Sequence, residues 1–201
     1  TALDRAKQSS MPQDNIDRAV KKGTGELEGI TYEEFTIEGY GAGGVAIMAE
    51  LLTDNKNRTT AEIRNIMSKK CGNMAGAGSV SWMFTQKGYI SVAKENIKED
   101  ELMNIVLDAG AEDMKHEDDV YEIYSAIADL ENVKQALTDK GIKWVDAELT
   151  MIPSSTIKVT GHEAKQVLSL VETLEEHDDV QQVYANFDIP DEILDEVASE
   201  E

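Results

Sequence analysis

Apolar and polar residues follow two rhythms along this chain, and the switches between them lay out its elements. In "SSMPQDNIDRAVKKGTGE" the apolar positions Ile16, Ala19 and Val20 recur at helical spacing. Ser10 stands three residues before Gln13 as a capping-box pattern, Pro12 suits a first turn, and Gly23 can stop the helix just past Lys21 and Lys22. A strand-like pattern then takes over in "TYEEFTIEGY" (31–40) and "GVAIMAELLT" (44–53), which predicts two strands joined at Gly41-Ala42-Gly43. Helical spacing returns over 57–70, with Ile63, Ile66 and Met67 on one face and Arg58, Glu62, Asn65 and Lys69 on the opposite one. Thr59 and Glu62 have the spacing of a capping box there. After the glycine-rich stretch "KKCGNMAGAGS" (69–79), the run "SVSWMFTQ" (79–86) predicts another strand.

From residue 88 the order becomes regular. "GYISVA" predicts a strand and 99–109 a helix with Leu102, Ile105, Val106 and Ala109 inward. "AEDMK" and "VYEIYSAI" predict strands, 130–139 a helix, and "KWVDAELTMI" a closing strand that ends at Pro153. That order, β-α-β-β-α-β, is the ferredoxin-like split unit. "TIKVT" (156–160), a helix over 162–176 with Ala164, Val167, Leu168, Val171 and Leu174 inward, and "VQQVYANF" (180–187) add a further β-α-β. Joined to the earlier β-β-α-β, these complete a second sheet that the regular unit interrupts. The tail from Asp191 reads as a short acidic helix. The expected architecture is α+β in three pieces: a helical part over 1–29, an interrupted α+β domain over 30–87 plus 154–201, and an inserted ferredoxin-like domain over 88–153. The segments "DDVYEIY" (118–124) and "DDVQQVY" (178–184) echo each other. The echo fits kinship between the sheets, and equally the habit of acidic turns to precede Val-rich strands.

Composition narrows the class. No apolar run approaches the ~18 residues of a membrane span. No signal-peptide pattern opens the chain, and one cysteine excludes an intramolecular disulfide framework. A soluble, cytosolic protein without membrane contact is expected. The opening "TALDRAKQ" lacks Met and starts inside a helical pattern, as the remainder of something longer.

A formal net charge of −21 opposes nucleic-acid binding, because phosphates must be neutralised by Lys and Arg. Its distribution changes that picture. Residues 90–201 hold eight bases against 29 acids, whereas 53–89 carry six bases against Asp54 and Glu62 alone. "KKCGNMAGAGS" therefore lies in the one net-positive segment.

Catalytic chemistry finds little support. A phosphate-binding loop needs the order strand–loop–helix, so that N–H groups at a helix N-terminus meet the anion. Here a helix C-terminus meets the loop, and the G-x-x-x-x-G-K-[ST] spacing is absent. Gly72 reads instead as the left-handed cap of the helix, with Gly76 and Gly78 allowing a wide turn. Cys71 follows two lysines that could activate a thiol, but no His is near in sequence, so it reads as a small residue beside the cap. His116, His162 and His177 lack zinc-like spacing, and the pairs Asp118-Asp119 and Asp178-Asp179 read as solvated turns rather than metal ligands. No cofactor, metal or catalytic constellation emerges.

Two features suit contact with a phosphate backbone. In "TDNKNRTTAEIRNIMSKK", Asn55, Lys56, Asn57 and Arg58 form a cationic loop ahead of a helix that continues with Arg64, Lys69 and Lys70. Asn73, just beyond, adds a further hydrogen-bonding group. In "AVKKGTGE", Lys21 and Lys22 precede a glycine-containing linker. Either feature is equally readable as a solvated, capped helix end.

The motifs "MPQDNIDRAVKKGTGE", "YEEFTIEGYGAGGVAIMAELLTDNKNRT", "GSVSWMF" and "MIPSSTI", in this order, resemble the YebC/PmpR family, which includes mitochondrial translational activators of cytochrome oxidase subunit I. The resemblance runs from about Ser10 to the C-terminus. It implies a three-domain YebC-like architecture of helical and ferredoxin-like α+β domains, no enzymatic activity, and a cytoplasmic location in bacteria. Family members usually carry proline where this chain has Ala42, and a second glycine where it has Cys71. They also carry a strongly basic N-terminal segment that this sequence does not include, and with it much of the expected nucleic-acid affinity. Members are described both as DNA-binding transcriptional regulators and as translation factors on the ribosome. The acidity of 90–201 disfavours a broad duplex-DNA footprint, whereas one cationic edge suffices for ribosomal RNA. The expectation is a nucleic-acid-associated regulator working on the ribosome, with promoter DNA as the alternative target. A protein-interaction module that uses the acidic half is the second alternative.

Overall fold

The computed structural model describes residues 11, 13–24, 31–117, 119–190 and 193. Ser10, Pro12, Asp118 and the acidic tail other than Ile193 lie outside the described residues, so the first capping box and the tail helix fall there too. In chain order the elements are helix α1 (Gln13–Gly23), strands β1 (Glu33–Tyr40) and β2 (Ala46–Thr53), helix α2 (Lys56–Lys69), strands β3 (Asn73–Met74) and β4 (Phe84–Ala93), helix α3 (Glu99–Asp108), strands β5 (Ala111–His116) and β6 (Val120–Ser125), helix α4 (Leu130–Asp139), strands β7 (Asp146–Pro153) and β8 (Ile157–Lys158), helix α5 (Gly161–Glu175), and strands β9 (Val180–Ala185) and β10 (Phe187–Asp188). Two compact units result, one from the chain up to Ser81 together with Ile157 onward, the other from Trp82–Thr156.

In the first unit the strand order is β3-β1-β2-β9, antiparallel throughout. Alternation puts Ile37, Ile47, Ala49, Leu51 and Val183 into one core with Ile63 and Met67 of α2 and with Ala164, Val167, Leu170 and Leu174 of α5. The buried line of α5 thus runs through Leu170, which lies outside the inward set expected from spacing, while Leu168 and Val171 are only partly buried flanks. Leu170 is drawn in because it lies against Gly72: a Cβ at Gly72 would stand 2.7 Å from Leu170 Cδ2.

Two expected strands of this unit come out differently. The run 79–86 is not a strand of the first sheet. Ser81–Met83 forms a 3₁₀ turn, and β4 runs unbroken from Phe84 to Ala93 in the other unit. The reason is local: the N–H groups of Gly78, Val80 and Ser81 are taken by the Glu38 carboxylate and are withdrawn from any ladder. The sheet edge falls instead to β3, paired with Gly39 and Tyr40. "TIKVT" contributes only β8, which pairs in parallel with β10 and stays out of the four-stranded sheet. The strand expected over 180–187 breaks at buried Asn186, whose Oδ1 accepts the Ala46 N–H at 2.7 Å and whose carbonyl accepts the Ile157 N–H at 2.7 Å.

The second unit follows its periodicity closely. Its sheet has the order β5-β6-β4-β7, antiparallel throughout, which is the interleaved order of a split β-α-β-β-α-β unit. Ile90, Val92, Tyr121 and Ile123 form one core with Leu102 and Val106 of α3 and with Leu130, Val133 and Leu137 of α4. No helix among the described residues is long and apolar enough to cross a membrane.

Candidate nucleic-acid interface

Helix α2 begins at an asparagine. Asn55 Oδ1 accepts the Arg58 N–H at 3.1 Å, so Asn55 is the cap, and the capping box expected from Thr59 and Glu62 does not form. Thr59 is fully buried inside the first turn and donates its hydroxyl hydrogen to Asp179 Oδ2 at 2.6 Å. The same oxygen accepts from Thr53 at 3.0 Å and from the Arg58 guanidinium at 2.7 Å. Asp179 therefore ties the end of β2 and the first turn of α2 to the turn before β9, so the Asp178-Asp179 pair is more than the solvated turn expected from sequence. Burial pushes the Asp179 carboxyl up, but the hydrogen bonds from Thr59, Arg58 and Thr53 and the charge of Arg58 outweigh it and hold the group below its ordinary value.

Arg58 is correspondingly surrounded by acid. Besides Asp179 it faces Asp54 at 3.2 Å and Glu62 at 3.8 Å. The Asp179 hydrogen bond, opposed by partial burial and aided by the charges of Asp179, Asp54 and Glu62, raises its pKa. His177 closes the ring: its Nε2 lies 3.2 Å from Glu62 Oε2 and its Nδ1 accepts the Asp179 N–H at 3.2 Å. No group of three or more His, Cys, Asp or Glu side chains among the described residues is arranged to hold a metal ion.

The remaining candidates divide by partner. Lys56 Nζ stands 4.8 Å from the Phe35 ring centroid, a cation–π contact. Lys70 Nζ donates to the Ser169 hydroxyl at 2.7 Å. Arg64 and Lys69 are exposed and have no ion-pair partner among the described residues. Five positions apart, they project roughly 140° from each other around the helix axis. Asn57 and Asn73 are exposed, the latter in β3 opposite Tyr40. The structure thus gathers Asn55 through Arg58, Arg64, Lys69, Lys70 and Asn73 on α2 and its two flanking loops. Lys21 is exposed on α1, a separate helix; the Lys22 side chain lies outside the described part of the chain.

The loop after α2 is capped one residue earlier than glycine placement suggested. Cys71, at φ 60°, takes the left-handed position, and the Gly72 N–H bonds the Met67 carbonyl at 2.7 Å in a Schellman-type closure. Gly72 serves close packing instead, with the Tyr40 carbonyl 3.2 Å from where a Cβ would stand. Beyond Gly78, at φ 83°, the chain folds over Glu38. Glu38 is 5% exposed; its Oε1 accepts the Gly78 N–H at 2.7 Å, and its Oε2 those of Val80 at 2.7 Å and Ser81 at 2.9 Å. Burial raises this carboxyl, yet the N–H groups of Val80, Gly78 and Ser81 prevail and its pKa is lowered. The glycine-rich loop does cradle an anion, and the anion is a side chain of β1. The linear sequence offers only a weak signal for this residue: one acid among three in a strand, followed at once by glycine.

These features lie within a wider likeness. A family model described as the second and third domain of TACO1/YebC matches residues 32–187. A protein named "probable transcriptional regulatory protein" from Syntrophobacter fumaroxidans is 51% identical over 96% of this chain and 78% of its own length. One of the same name from Natranaerobius thermophilus is 53% identical, with the same shares covered. The crystal structure of a conserved hypothetical protein from Aquifex aeolicus is 45% identical and superposes with a TM-score of 0.83, covering 94% of this chain and 79% of that one.

Proposed function

Because the chain belongs to the TACO1/YebC family, we propose that this regulator of gene expression is a non-enzymatic, nucleic-acid-associated factor that acts on the ribosome. The observation that carries the reading is the placement of five of the six bases of segment 53–89, namely Lys56, Arg58, Arg64, Lys69 and Lys70, on α2 and its flanking loops within a chain of net charge −21. Exposed Arg64 and Lys69 supply phosphate contacts, joined by Lys56 and Lys70 at the two ends of α2 and by Asn57 and Asn73 as exposed hydrogen-bonding groups. A few cations set around one helix suit the irregular surface of ribosomal RNA, which is read by shape and backbone, better than a duplex footprint that needs a broad basic surface.

The name shared by the relatives favours a second reading, a DNA-binding transcriptional regulator. Sedimentation with bacterial ribosomes across a salt series, run beside promoter-DNA mobility shifts, separates the two. The ribosome reading requires co-sedimentation at low salt that weakens as salt rises, and loss of about one unit of log–log salt slope per phosphate contact removed in Arg64→Glu or Lys69→Glu. Absence of co-sedimentation at low salt, with a DNA shift in its place, overturns it. The pair Lys56→Glu plus Arg58→Glu reports whether the start of α2 belongs to the same edge.

A further inference from the structure

The loop over 75–81 is anchored to β1 by five hydrogen bonds, and three of them converge on one carboxylate. The Ala75 N–H donates to the Glu38 carbonyl at 2.8 Å, the Tyr40 hydroxyl to the Ser79 carbonyl at 3.2 Å, and Gly78, Val80 and Ser81 donate their N–H groups to the Glu38 side chain. Val80 is completely buried, whereas Asn73, Gly76, Ala77 and Gly78 are exposed. One side of the loop is thus fixed from within while the other faces outward.

Converging backbone N–H groups are the usual means of gripping a phosphate or another anion. Here an internal acid fills that grip, so the same geometry fixes the loop. We propose that Glu38 is the positioning residue of a contact loop, holding 75–81 in one conformation so that its outer edge, beside Lys69 and Asn73, meets nucleic acid already ordered. The inference rests on the reading of α2 and its flanking loops as the nucleic-acid interface. The carboxylate is required chemically, because its two oxygens only accept. A glutamine in its place would turn an N–H₂ donor toward at least one of the backbone donors. Preordering matters to affinity because a loop that must be fixed on binding gives up conformational freedom at that moment.

The test uses the full chain with two variants, Glu38→Gln and Gly78→Ala. The second strains the loop at a left-handed residue, leaves Glu38 intact, and places its new methyl group with nothing within 4 Å. Amide exchange should accelerate at least tenfold at Gly78, Val80 and Ser81 in Glu38→Gln, and less in Gly78→Ala, with Leu51 and Ile63 unchanged. Affinity for purified bacterial ribosomes should fall at least tenfold in Glu38→Gln and in proportion to loop exchange in Gly78→Ala. Unchanged loop exchange in a folded Glu38→Gln protein overturns the proposal. So does faster loop exchange with undiminished ribosome affinity. A Glu38→Gln chain that does not fold leaves Gly78→Ala to decide on the same two readouts. If the wild-type chain does not sediment with ribosomes, the translation reading and the use of the loop there both fail. The exchange measurement then still reports whether Glu38 fixes 75–81.

Discussion

The sheet of Trp82–Thr156 is held by its own strands. β4 pairs over eight positions with β7 and six with β6, and α3 and α4 cover one face with an uninterrupted apolar layer. The sheet built from β1, β2, β3 and β9 has a comparable core, but one edge strand has two residues and its neighbouring segments are positioned by acids. Glu38 anchors a loop 40 to 43 residues further on, and Asp179 anchors a helix start about 120 residues earlier. Each unit has a buried apolar core of its own. They differ in what fixes the segments around the sheet: ladder hydrogen bonds in one, buried Glu38 and partly buried Asp179 in the other. The candidate interface lies beside those carboxylates, where loops carry function and need a rigid support.

The strongest way to test the shared part of this comparison is to empty each core. Leu102→Ala in α3 and Leu170→Ala in α5 each remove a side chain that is wholly buried, and each should cost about 2–5 kcal/mol in urea denaturation. A loss under about 1 kcal/mol for Leu170→Ala would mean that the core of the first unit can collapse around the gap, and that its acids carry more of its stability than burial suggests. Asp179→Ala comes next. It deprives Thr53, Thr59 and Arg58 of a common acceptor and should cost about 1–3 kcal/mol, with faster amide exchange at the start of α2. No change in exchange at Arg58 and Thr59 would break the claim that Asp179 holds that turn.

Acid and alkali should separate the units further. Glu38 and Asp179 are both held below their ordinary values. Their contribution is therefore complete above the ordinary carboxylate range and is lost as pH falls through the depressed native values. The sign reverses in the second unit. Burial, and then the hydrogen bond to Glu122, pushes Tyr89 up to about 12 and raises Tyr124 as well. Tyrosines whose native pKa is raised stabilise the fold fully below the ordinary tyrosine range, and that contribution is lost as pH rises through the raised values. Urea denaturation across pH should show an acid limb that flattens in Glu38→Gln or Asp179→Asn, and tyrosinate absorbance a high titration that Glu122→Gln brings back toward ordinary tyrosine. Acid sensitivity unchanged in both carboxylate variants would refute the assignment of that limb.

What the linear chain discloses follows the same division. α3, α4 and β6 are readable because each has one face buried by its neighbours, so the burial period appears directly in the residues. β1 and β2 are readable as two apolar-rich runs joined at a glycine turn, although the first half of β2 is buried on both faces. The loop over 75–83 imitates a strand, since Val80, Trp82 and Phe84 alternate with Ser79, Ser81 and Met83, yet its donors go to Glu38 and the ladder never forms. Of the candidate interface, the run of Lys, Arg and Asn around α2 is visible as local charge. That Arg58 faces three carboxylates is not, because Asp179 comes from a turn 121 residues away. Thr59 and Glu62 satisfy the capping-box spacing, but Thr59 is one turn too deep and Asn55 is the residue whose backbone leaves the helix.

The smallest effect tests a single backbone angle. Cys71 occupies the left-handed position that closes α2, at φ 60°, and is the one non-glycine residue with positive φ among the described residues. A side chain there costs roughly 1–2 kcal/mol relative to the right-handed region. Glycine would remove that cost while adding unfolded-state freedom that opposes the gain by roughly 0.4–1 kcal/mol. The net expectation for Cys71→Gly is a stabilisation of roughly 0.5–1 kcal/mol, read as a higher urea midpoint with unchanged slope. Cys71→Ala keeps the Cβ and removes the Gln166 Nε2 contact to Sγ at 3.1 Å, so it should be neutral or slightly destabilising. If both variants destabilise alike, the contact between Cys71 and Gln166 outweighs the backbone strain, and the end of α2 joins its start as a place where side chains from distant parts of the chain, more than helix geometry, fix the fold.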